Sequence, residues 1–409
     1  MMLKSIISAI ACCIAGSVNA ATITASSVTW TDVSNAVETA SVGDTVQIPA
    51  GRAIWTAQLT VGKAINLIGA GTNSTVIVYS NKMIMLFSGI ASNLGFRMSS
   101  IAFSNSATAL FNPPQCPVTV NGPLLTFRID RCLFHKGQSP IRGNLQLEGV
   151  IDHNYFVNCE SGIYLVGDGT NKSWIRPIVT GTTNTTCIEN NWFYLDDNFS
   201  GPQASHNQDI YQQDGARSTA RYNVWDHNGY SGYDSFYDSH GLWVNGQAQP
   251  LCEFYFNLIT NGIANNWSGG TDSRGGSALW WSNTFVLSTV LNQTYLLDLR
   301  EEAVKGYTGA WPSPQQVSNT FLWGNTFNGA IVTNAFVNDD SIQGNMILQN
   351  RDYWMSVPNS TNGLPLGVYA GYSPLVYPHP LVTAQDGPSS AIAKSQTSGR
   401  VSFSGKVSQ

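Results

Sequence analysis

An asparagine followed two residues later by a large apolar residue recurs along most of this chain. The pairs are Asn154/Phe156, Asn191/Phe193, Asn223/Trp225, Asn257/Ile259, Asn283/Phe285, Asn325/Phe327 and Asn345/Ile347, with Cys132/Phe134 and Ile101/Phe103 in the same positions upstream. Successive pairs are separated by 20 to 42 residues, which favours stacked strands with loops of different length over a fixed helical repeat. Because residues two apart in a strand point the same way, both members of each pair are predicted to face one interior.

Composition and charge agree with a coil of strands. Of the 409 residues, 11% are charged and 43% are hydrophobic, a profile typical of an extracellular all-β protein with many turns. The repeat runs from Ile101 to Ile347 without a linker, so we expect one domain over residues 21–383. The net charge of -5 argues against nucleic acid as a partner.

The first 20 residues have the pattern of an export signal. Lys4 supplies a positive charge, Ile6 to Ala15 are mainly apolar, and Val18-Asn19-Ala20 is a small-x-small cleavage pattern. The apolar stretch is shorter than the ~20 residues that span a membrane. The sequence therefore predicts a secreted protein, extracellular or periplasmic, with no membrane span, and it predicts a monomer. Residues 384–409, rich in Ser, Gly, Ala, Lys and Gln, are predicted to form a flexible tail.

The start of the mature chain carries a fold motif. Trp30 to Val37 are predicted to form a short helix that covers the open end of the first coil, as an exposed sheet edge requires. Gly43-Asp44-Thr45-Val46-Gln47-Ile48-Pro49-Ala50-Gly51 follows it. In this order the chain resembles the right-handed parallel β-helix proteins of the pectate-lyase-like superfamily. The resemblance implies an all-β, single right-handed parallel β-helix (solenoid) with an N-terminal helical cap.

A second resemblance covers the C-terminal half. The motifs are Arg221-Tyr222-Asn223, Ser239-His240-Gly241, Arg274-Gly275-Gly276, Asn350-Arg351-Asp352-Tyr353, Gly371-Tyr372-Ser373-Pro374 and Tyr377-Pro378-His379-Pro380. Their order is similar to that of a family of exported bacterial right-handed β-helix proteins, a family defined by fold and not by activity. The segment at residues 377–380 is expected to add a closing strand, with His379 in a structural role.

Polar side chains accumulate between Asp196 and Glu302, and their distances from the asparagine of their own coil select four of them as catalytic candidates. His240, Arg274 and Arg300 each follow the asparagine of their own coil by 17 residues, and Asp209 follows its asparagine by 18. If the coils are similar, these four side chains line up in one groove, about 4.8 Å apart per coil. We expect His240 to act as a base while Arg274 and Arg300 clamp a substrate carboxylate.

Three functions fit such a groove. The first is a polysaccharide lyase that acts on a uronate-containing glycan by β-elimination. The second is a glycoside hydrolase with a pair of carboxylates, for which Asp196, Asp197, Asp209 and Asp238 offer candidates. The third is a glycan-binding or surface-structural protein without catalysis, because one fold supports many functions. Ser239-His240-Gly241 and Asp196-Asp197 partly resemble polygalacturonase motifs, but the other motifs of that family are absent from the sequence.

Further residues are predicted to bind substrate or metal. Aromatic rings beside hydrogen-bonding groups suit the faces of sugars, so the substrate-binding candidates are mainly aromatic and charged side chains near the cluster. They are Arg221, Tyr233, Tyr237, Trp243 and Glu301. Asp196 and Asp197 offer hard oxygen ligands for calcium, the one cofactor that the sequence suggests.

Overall fold

A computed structural model shows three long sheets that wind around one interior. It describes residues 20–107, 116–124, 126–167, 179–195, 208–228, 235–240, 251–260, 270–287, 296–300, 317–338, 347–359 and 372–386. Strands from successive coils pair in parallel within each sheet. Among the described strands, only the last pair of one sheet, residues 326–327 with residues 330–331, is antiparallel. This is a parallel β-helix, as the repeat of asparagine and apolar residues predicts.

Neighbouring strands of each sheet come from neighbouring coils. Sheet A contains β1 (Thr22–Thr24), β2 (Thr45–Ile48), β5 (Asn66–Gly69), β8 (Gly95–Ser99), β11 (Thr126–Asp130), β14 (Gly149–Asp152), β17 (Thr186–Glu189), β20 (Arg217–Arg221), β23 (Leu251–Tyr255), β26 (Ala278–Trp281), β29 (Thr320–Trp323) and β33 (Tyr353–Trp354). Sheet B contains β3 (Gly51–Ile54), β6 (Thr75–Tyr79), β9 (Ala102–Asn105), β12 (Leu133–His135), β15 (Tyr155–Val157), β18 (Trp192–Tyr194), β21 (Val224–Asp226), β24 (Leu258–Thr260), β27 (Thr284–Val286), β30 (Thr326–Phe327) and β31 (Ala330–Ile331). Sheet C contains β4 (Leu59–Val61), β7 (Met85–Phe87), β10 (Val118–Asn121), β13 (Ile141–Asn144), β16 (Ile163–Val166), β19 (Gln208–Gln213), β22 (Ser235–Ser239), β25 (Thr271–Ser273), β28 (Leu297–Arg300) and β32 (Phe336–Asn338).

The predicted asparagine ladder lies at the bend between sheets A and B. The Nδ2 of Asn191 donates to Oδ1 of Asn223 at 3.0 Å, Asn223 donates in the same way to Asn257, and Asn257 to Asn283. Each of these amides also donates to a backbone carbonyl of the preceding coil. The amides therefore satisfy the polar groups of a buried bend, where an unpaired group would be costly.

A left-handed backbone residue precedes each rung of this ladder. Examples are Asn190 at φ 57°, Tyr222 at φ 56°, Phe256 at φ 55° and Ser282 at φ 52°. This conformation is uncommon for residues other than glycine. Its recurrence shows that these coils turn the same corner before their asparagines, with the ladder hydrogen bonds holding the turn.

Aromatic rings stack inside the coil beside the ladder. Phe156 and Phe193 have ring centroids 4.7 Å apart, and Phe193 and Trp225 have centroids 5.0 Å apart, with nearly parallel planes in both pairs. All three side chains are buried. The sequence prediction that the asparagine and its apolar partner share one interior is therefore confirmed.

Helix α1 (Trp30–Thr39) forms where the sequence predicts it. The side chain of Thr29 accepts the backbone N–H of Asp32, and Val33, Ala36 and Val37 are buried on the inner side of the helix. These residues belong to the same core cluster as Val46 and Ile48 of β2.

The C-terminal segment differs from its prediction. Residues 372–379 form no strand; they run as irregular backbone across the outer face of sheet A and lead into helix α2 (Pro380–Asp386). Side chains of sheet A take up the hydrogen bonds of this segment: Glu189 accepts the backbone N–H of His379 at 2.8 Å, and Glu253 accepts the hydroxyl of Tyr372 at 2.9 Å. The prolines that suggested a rigid segment also remove the N–H groups that a strand would need. We call residues 372–386 the C-terminal strap.

Cys116, Cys132, Cys159, Cys187 and Cys252 are all buried free thiols. Cys132 occupies a ladder position, where its backbone N–H donates to Oδ1 of Asn154 at 3.0 Å and its small side chain is buried in the interior. In the described parts of the chain, the structure contains no helix with the length and apolarity needed to cross a membrane.

Candidate active site on the outer face of sheet C

Two columns of charged side chains cross three neighbouring strands of sheet C. Asp238, Asp272 and Asp298 lie opposite one another in β22, β25 and β28. Two residues further on, His240, Arg274 and Arg300 form the second column on the same face, because alternate residues of a strand point the same way. The sequence offset of 17 residues predicts this second column, and the structure brings its three members together.

The arginines join the two columns by ion pairs. Arg274 holds Asp272 through Nε at 2.7 Å and Asp238 through Nη2 at 3.1 Å. Arg300 holds Asp298 through Nη2 at 2.9 Å, and the same nitrogen lies 3.9 Å from Asp272. One guanidinium therefore bridges two coils, and the rotamers of both arginines are fixed by charge-assisted hydrogen bonds.

Exposure separates the two kinds of charge. The side chains of the three aspartates are 0% exposed, whereas those of Arg274 and Arg300 are 10% and 14% exposed. A ligand on this face therefore meets guanidinium groups first and carboxylates only behind them. The accessible side of the cluster is cationic.

His240 is positioned by the same network. Its Nε2 lies 3.1 Å from Nη1 of Arg274, and its backbone N–H donates to the carbonyl of Gln212 at 2.8 Å. A guanidinium has only donors, so in this contact Nε2 of His240 is the acceptor. The ring of Tyr211 packs against it with centroids 5.2 Å apart.

Burial, and after it the neighbouring Asp272 carboxylate, raise the pKa of Asp298 to about 7 against the opposing effect of Arg300. The Asp272 carboxylate also raises the pKa of Arg300 above its ordinary value, more than burial lowers it. The cluster contains three carboxyl groups and two guanidinium groups, so it holds one more acid than cation and exchanges a proton near neutral pH.

The outer face of sheet C continues as a groove toward the N-terminal coils. Tyr211 lies opposite Tyr164, with ring centroids 4.8 Å apart, and Arg142 lies over Tyr164 with its Cζ 5.0 Å from the ring centroid. Arg142 borders a cavity of about 330 Å³ that is also lined by Thr119, Asn121 and Asn144. Half-buried polar and aromatic groups thus extend from this cavity to His240 along one face.

Asp209 does not join the groove. Its carboxylate lies 2.9 Å from Nε2 of His227, and both side chains are buried, with Asp209 near the start of β19 and His227 directly after β21. His240 instead lies at the far end of β19, where its backbone N–H donates to the carbonyl of Gln212 and Gln212 pairs with Ser239. The offset of 18 residues placed Asp209 on the correct strand, but Asp209 lies three positions before Gln212, which corresponds to about 10 Å of extended chain.

Two of the predicted substrate-binding residues serve the fold. Arg221 is fully buried on sheet A, where it binds Glu189 at 2.7 Å and donates to the carbonyl groups of Leu375 and Val376 in the C-terminal strap. Tyr237 is also fully buried, and its hydroxyl lies 2.7 Å from Oγ of Ser218 inside the coil. Tyr237 alternates with Asp238 along β22, so the strand turns it inward.

The other predicted residues lie outside the described part of the chain: Tyr233, Trp243, Glu301, Asp196 and Asp197. Among the residues that are described, no group of three or more His, Cys, Asp or Glu is arranged to hold a metal ion. The aspartates of the cluster are bound by arginine, which makes them poor calcium ligands. Calcium binding at Asp196 and Asp197 remains a prediction.

Asp272 and Asp298 are not among the site residues predicted from the sequence. The signal was present, because Asp238, Asp272 and Asp298 each follow the asparagine of their own coil by 15 residues. This offset is two residues before that of His240, Arg274 and Arg300, so both columns obey the same alternation.

No protein-family model matches the chain, and a search of curated proteins gave no match. Among solved structures, the chain is similar to the PL6 family alginate lyase AlyGC, with 12% identity and a TM-score of 0.39 over 87% of this chain and 57% of that one. It is similar to an alginate lyase from Paenibacillus sp. str. FPU-7, with 13% identity and a TM-score of 0.34 over 66% and 99% of the two chains. The catalytic domain of a GH87 alpha-1,3-glucanase gives 11% identity and a TM-score of 0.34 over 84% and 68%.

Proposed function

We propose that this protein is a secreted, monomeric enzyme that binds an acidic extracellular polysaccharide on the outer face of sheet C and cleaves it by β-elimination. The observation that carries the proposal is the pair of part-exposed guanidinium groups, held from behind by buried carboxylates, with the imidazole of His240 3.1 Å from the guanidinium of Arg274. A lyase needs these two functions together, a cationic clamp for the uronate carboxylate and a base for the adjacent proton.

The buried aspartates act as positioning residues in this proposal. Asp272 and Asp298 fix the arginines in place, so the clamp loses little side-chain entropy when a substrate carboxylate binds. That carboxylate competes for Nη1 of Arg274 and releases the lone pair on Nε2 of His240. The imidazole then takes the C5 proton of the uronate, the bond from C4 to the glycosidic oxygen breaks, and a C4–C5 double bond forms. The departing oxygen takes a proton from His240 or water.

Glycoside hydrolysis is the second candidate, and one observation favours it. The raised pKa of Asp298, about 7, suits a general acid at neutral pH, with Asp272 as its ionised neighbour. The burial of both carboxylates opposes it, because neither contacts solvent at the surface of the groove. The two reactions differ in their products, so one assay separates them.

The test is cleavage of a panel of uronate-containing and neutral glycans, with unsaturated ends and reducing ends measured separately. We expect unsaturated ends from an acidic glycan, and we expect His240→Ala to abolish turnover while folding and glycan binding are retained. His135→Ala is the matched control, because His135 lies in β12 of sheet B, away from the groove.

Three results would contradict the lyase. Full activity of His240→Ala would show that His240 is not the base. Reducing ends without unsaturation would identify a hydrolase and make Asp298 and Asp272 the residues to test next. Binding without either product would identify a glycan-binding protein.

A further inference from the structure

Arg142 differs from most arginines that the structure describes. Arg97, Arg128, Arg131, Arg221, Arg274, Arg300 and Arg351 each form an ion pair with a carboxylate. Arg142 forms none with the residues described; its Nε donates to Oδ1 of Asn144 at 2.9 Å and its guanidinium lies over the ring of Tyr164. In that part of the chain its positive charge is without a counter-charge.

This guanidinium borders a cavity with both polar and apolar lining. The cavity of about 330 Å³ is lined by Thr119, Asn121, Asn144 and Arg142 together with Met83, Leu86 and Cys116. The two amides are fixed by each other, since Nδ2 of Asn144 donates to Oδ1 of Asn121 at 2.8 Å. Among the described residues, the lining of the cavity contains polar and apolar groups and no carboxylate, which favours an anion that also has an apolar face. A uronic acid has both, with C–H groups on one face of its ring.

The position of the cavity connects it to the candidate active site. Arg142 lies in β13, Tyr164 in β16, Tyr211 in β19, and His240 directly after β22. Three strand spacings, about 14 Å, separate the coil of Arg142 from the coil of His240. Tyr164 and Tyr211 lie between them and are half-buried, so a glycan chain running along the coil axis passes over their rings.

We propose that the Arg142 cavity is a second acidic-sugar site, which binds the carboxylate of a uronate residue remote from the bond that is cleaved. The proposal rests on the proposed function only for the assumption that the ligand is a glycan. Arg142 donates to the uronate carboxylate, Asn121 and Asn144 hydrogen-bond to hydroxyl groups, and Met83 and Leu86 contact the ring.

The test measures binding of single sugars to the full chain and needs no catalysis. D-glucuronate, D-galacturonate and D-mannuronate are each titrated beside the corresponding neutral hexose, with chemical-shift changes or calorimetry as the readout. We expect a preference for at least one uronate, weakened about tenfold or more in Arg142→Gln, since a hydrogen bond to a charged group contributes roughly 1.5–3 kcal/mol. Arg142→Lys keeps the charge but lacks the planar guanidinium, so its affinity for the uronate should lie between those of wild type and Arg142→Gln.

Arg52→Gln is the control, because Arg52 is exposed on β3 of sheet B and the substitution removes the same charge elsewhere. Wild-type uronate affinity in Arg142→Gln, equal binding of uronates and neutral hexoses, or no binding of any uronate would overturn the site. Cleavage is scored separately in His240→Ala. A protein without lyase activity that still binds uronate through Arg142 would disprove the proposed reaction and leave this site standing.

Discussion

At the scale of single residues, burial decides what each charged group of the cluster can do. Asp238, Asp272 and Asp298 point outward from sheet C but have no exposed surface, so they position the arginines rather than bind substrate. Arg274 and Arg300 keep part of their surface accessible. His240 accepts a hydrogen bond at Nε2 from Arg274. Its role therefore depends on a residue from the next coil.

The buried Asp298 predicts a pH dependence of stability. Its folded-state pKa of about 7 is above its ordinary value of 3.8, so the folded protein binds the proton more tightly than the unfolded chain. The contribution of Asp298 to the free energy of unfolding therefore decreases as pH rises from about 4 to about 7 and does not change above pH 7. In Asp298→Asn, which resembles the protonated acid, this loss should be absent.

The measurement is denaturant unfolding of both proteins at several pH values between 4 and 8. Burial also raises the pKa of Glu160 to about 7, so Glu160 contributes to the pH dependence of both proteins. The effect of Asp298 is therefore the difference in free energy of unfolding between wild type and Asp298→Asn at each pH. A difference that does not change with pH would contradict the assignment. Glu160→Gln provides the comparison with a buried carboxyl group outside the cluster.

At the scale of elements, each coil from Asn154 to Asn325 is held by one asparagine and one interior apolar side chain. The side chain of Phe193 is buried between those of Phe156 and Trp225, on the strands before and after its own. The neighbouring coils are fixed by the asparagine ladder and cannot close around a missing ring. Removal of an interior ring from one strand therefore also removes packing contacts from the strands on both sides.

Phe193→Ala should lower the free energy of unfolding by about 3 to 5 kcal/mol, because it leaves a cavity inside the stack. Tyr155→Ala is the control, since Tyr155 lies on the adjacent strand β15 but is 44% exposed on the outer face. Chemical denaturation measures both variants. An equal loss in the two would refute the distinction between the inner and outer faces of sheet B.

At the scale of the whole molecule, the C-terminal strap connects coils that are distant in sequence. Arg221 binds Glu189 of the preceding coil and two carbonyl groups of the strap, 154 and 155 residues further along the chain. Tyr372 binds Glu253, and Leu375 and Val382 pack with Val150 and Cys187. The strap thus covers several strands of sheet A with both polar and apolar contacts.

Arg221→Met should destabilise the protein by about 3 to 5 kcal/mol, because it leaves the buried Glu189 carboxylate and the strap carbonyls without their partner. The double variant with Glu189→Gln should lose less than the sum of the two single variants. Unfolding and limited proteolysis of the strap are the measurements. Wild-type stability and protease resistance in Arg221→Met would show that the strap is held by its apolar contacts instead.

The interior was predictable from the sequence, because a strand repeats its inward and outward positions every two residues and equivalent residues stack on one another. The interior contacts of Asn223 and Trp225 with the equivalent residues of neighbouring coils could therefore be predicted. The same alternation predicted that His240, Arg274 and Arg300 share a column. These features depend only on local geometry that successive coils repeat.

The tertiary structure alone decided which outward residues are accessible and which are covered. Asp272 and Asp298 are buried beneath arginines, Arg221 is covered by the C-terminal strap, and Arg142 borders a cavity. No local pattern distinguishes these residues, since each is a polar residue at an outward position or at a strand end. Their surroundings depend on the register between coils and on segments more than a hundred residues away. Because loop length varies from coil to coil, neither the register nor these distant contacts can be predicted from the spacing of residues in the sequence.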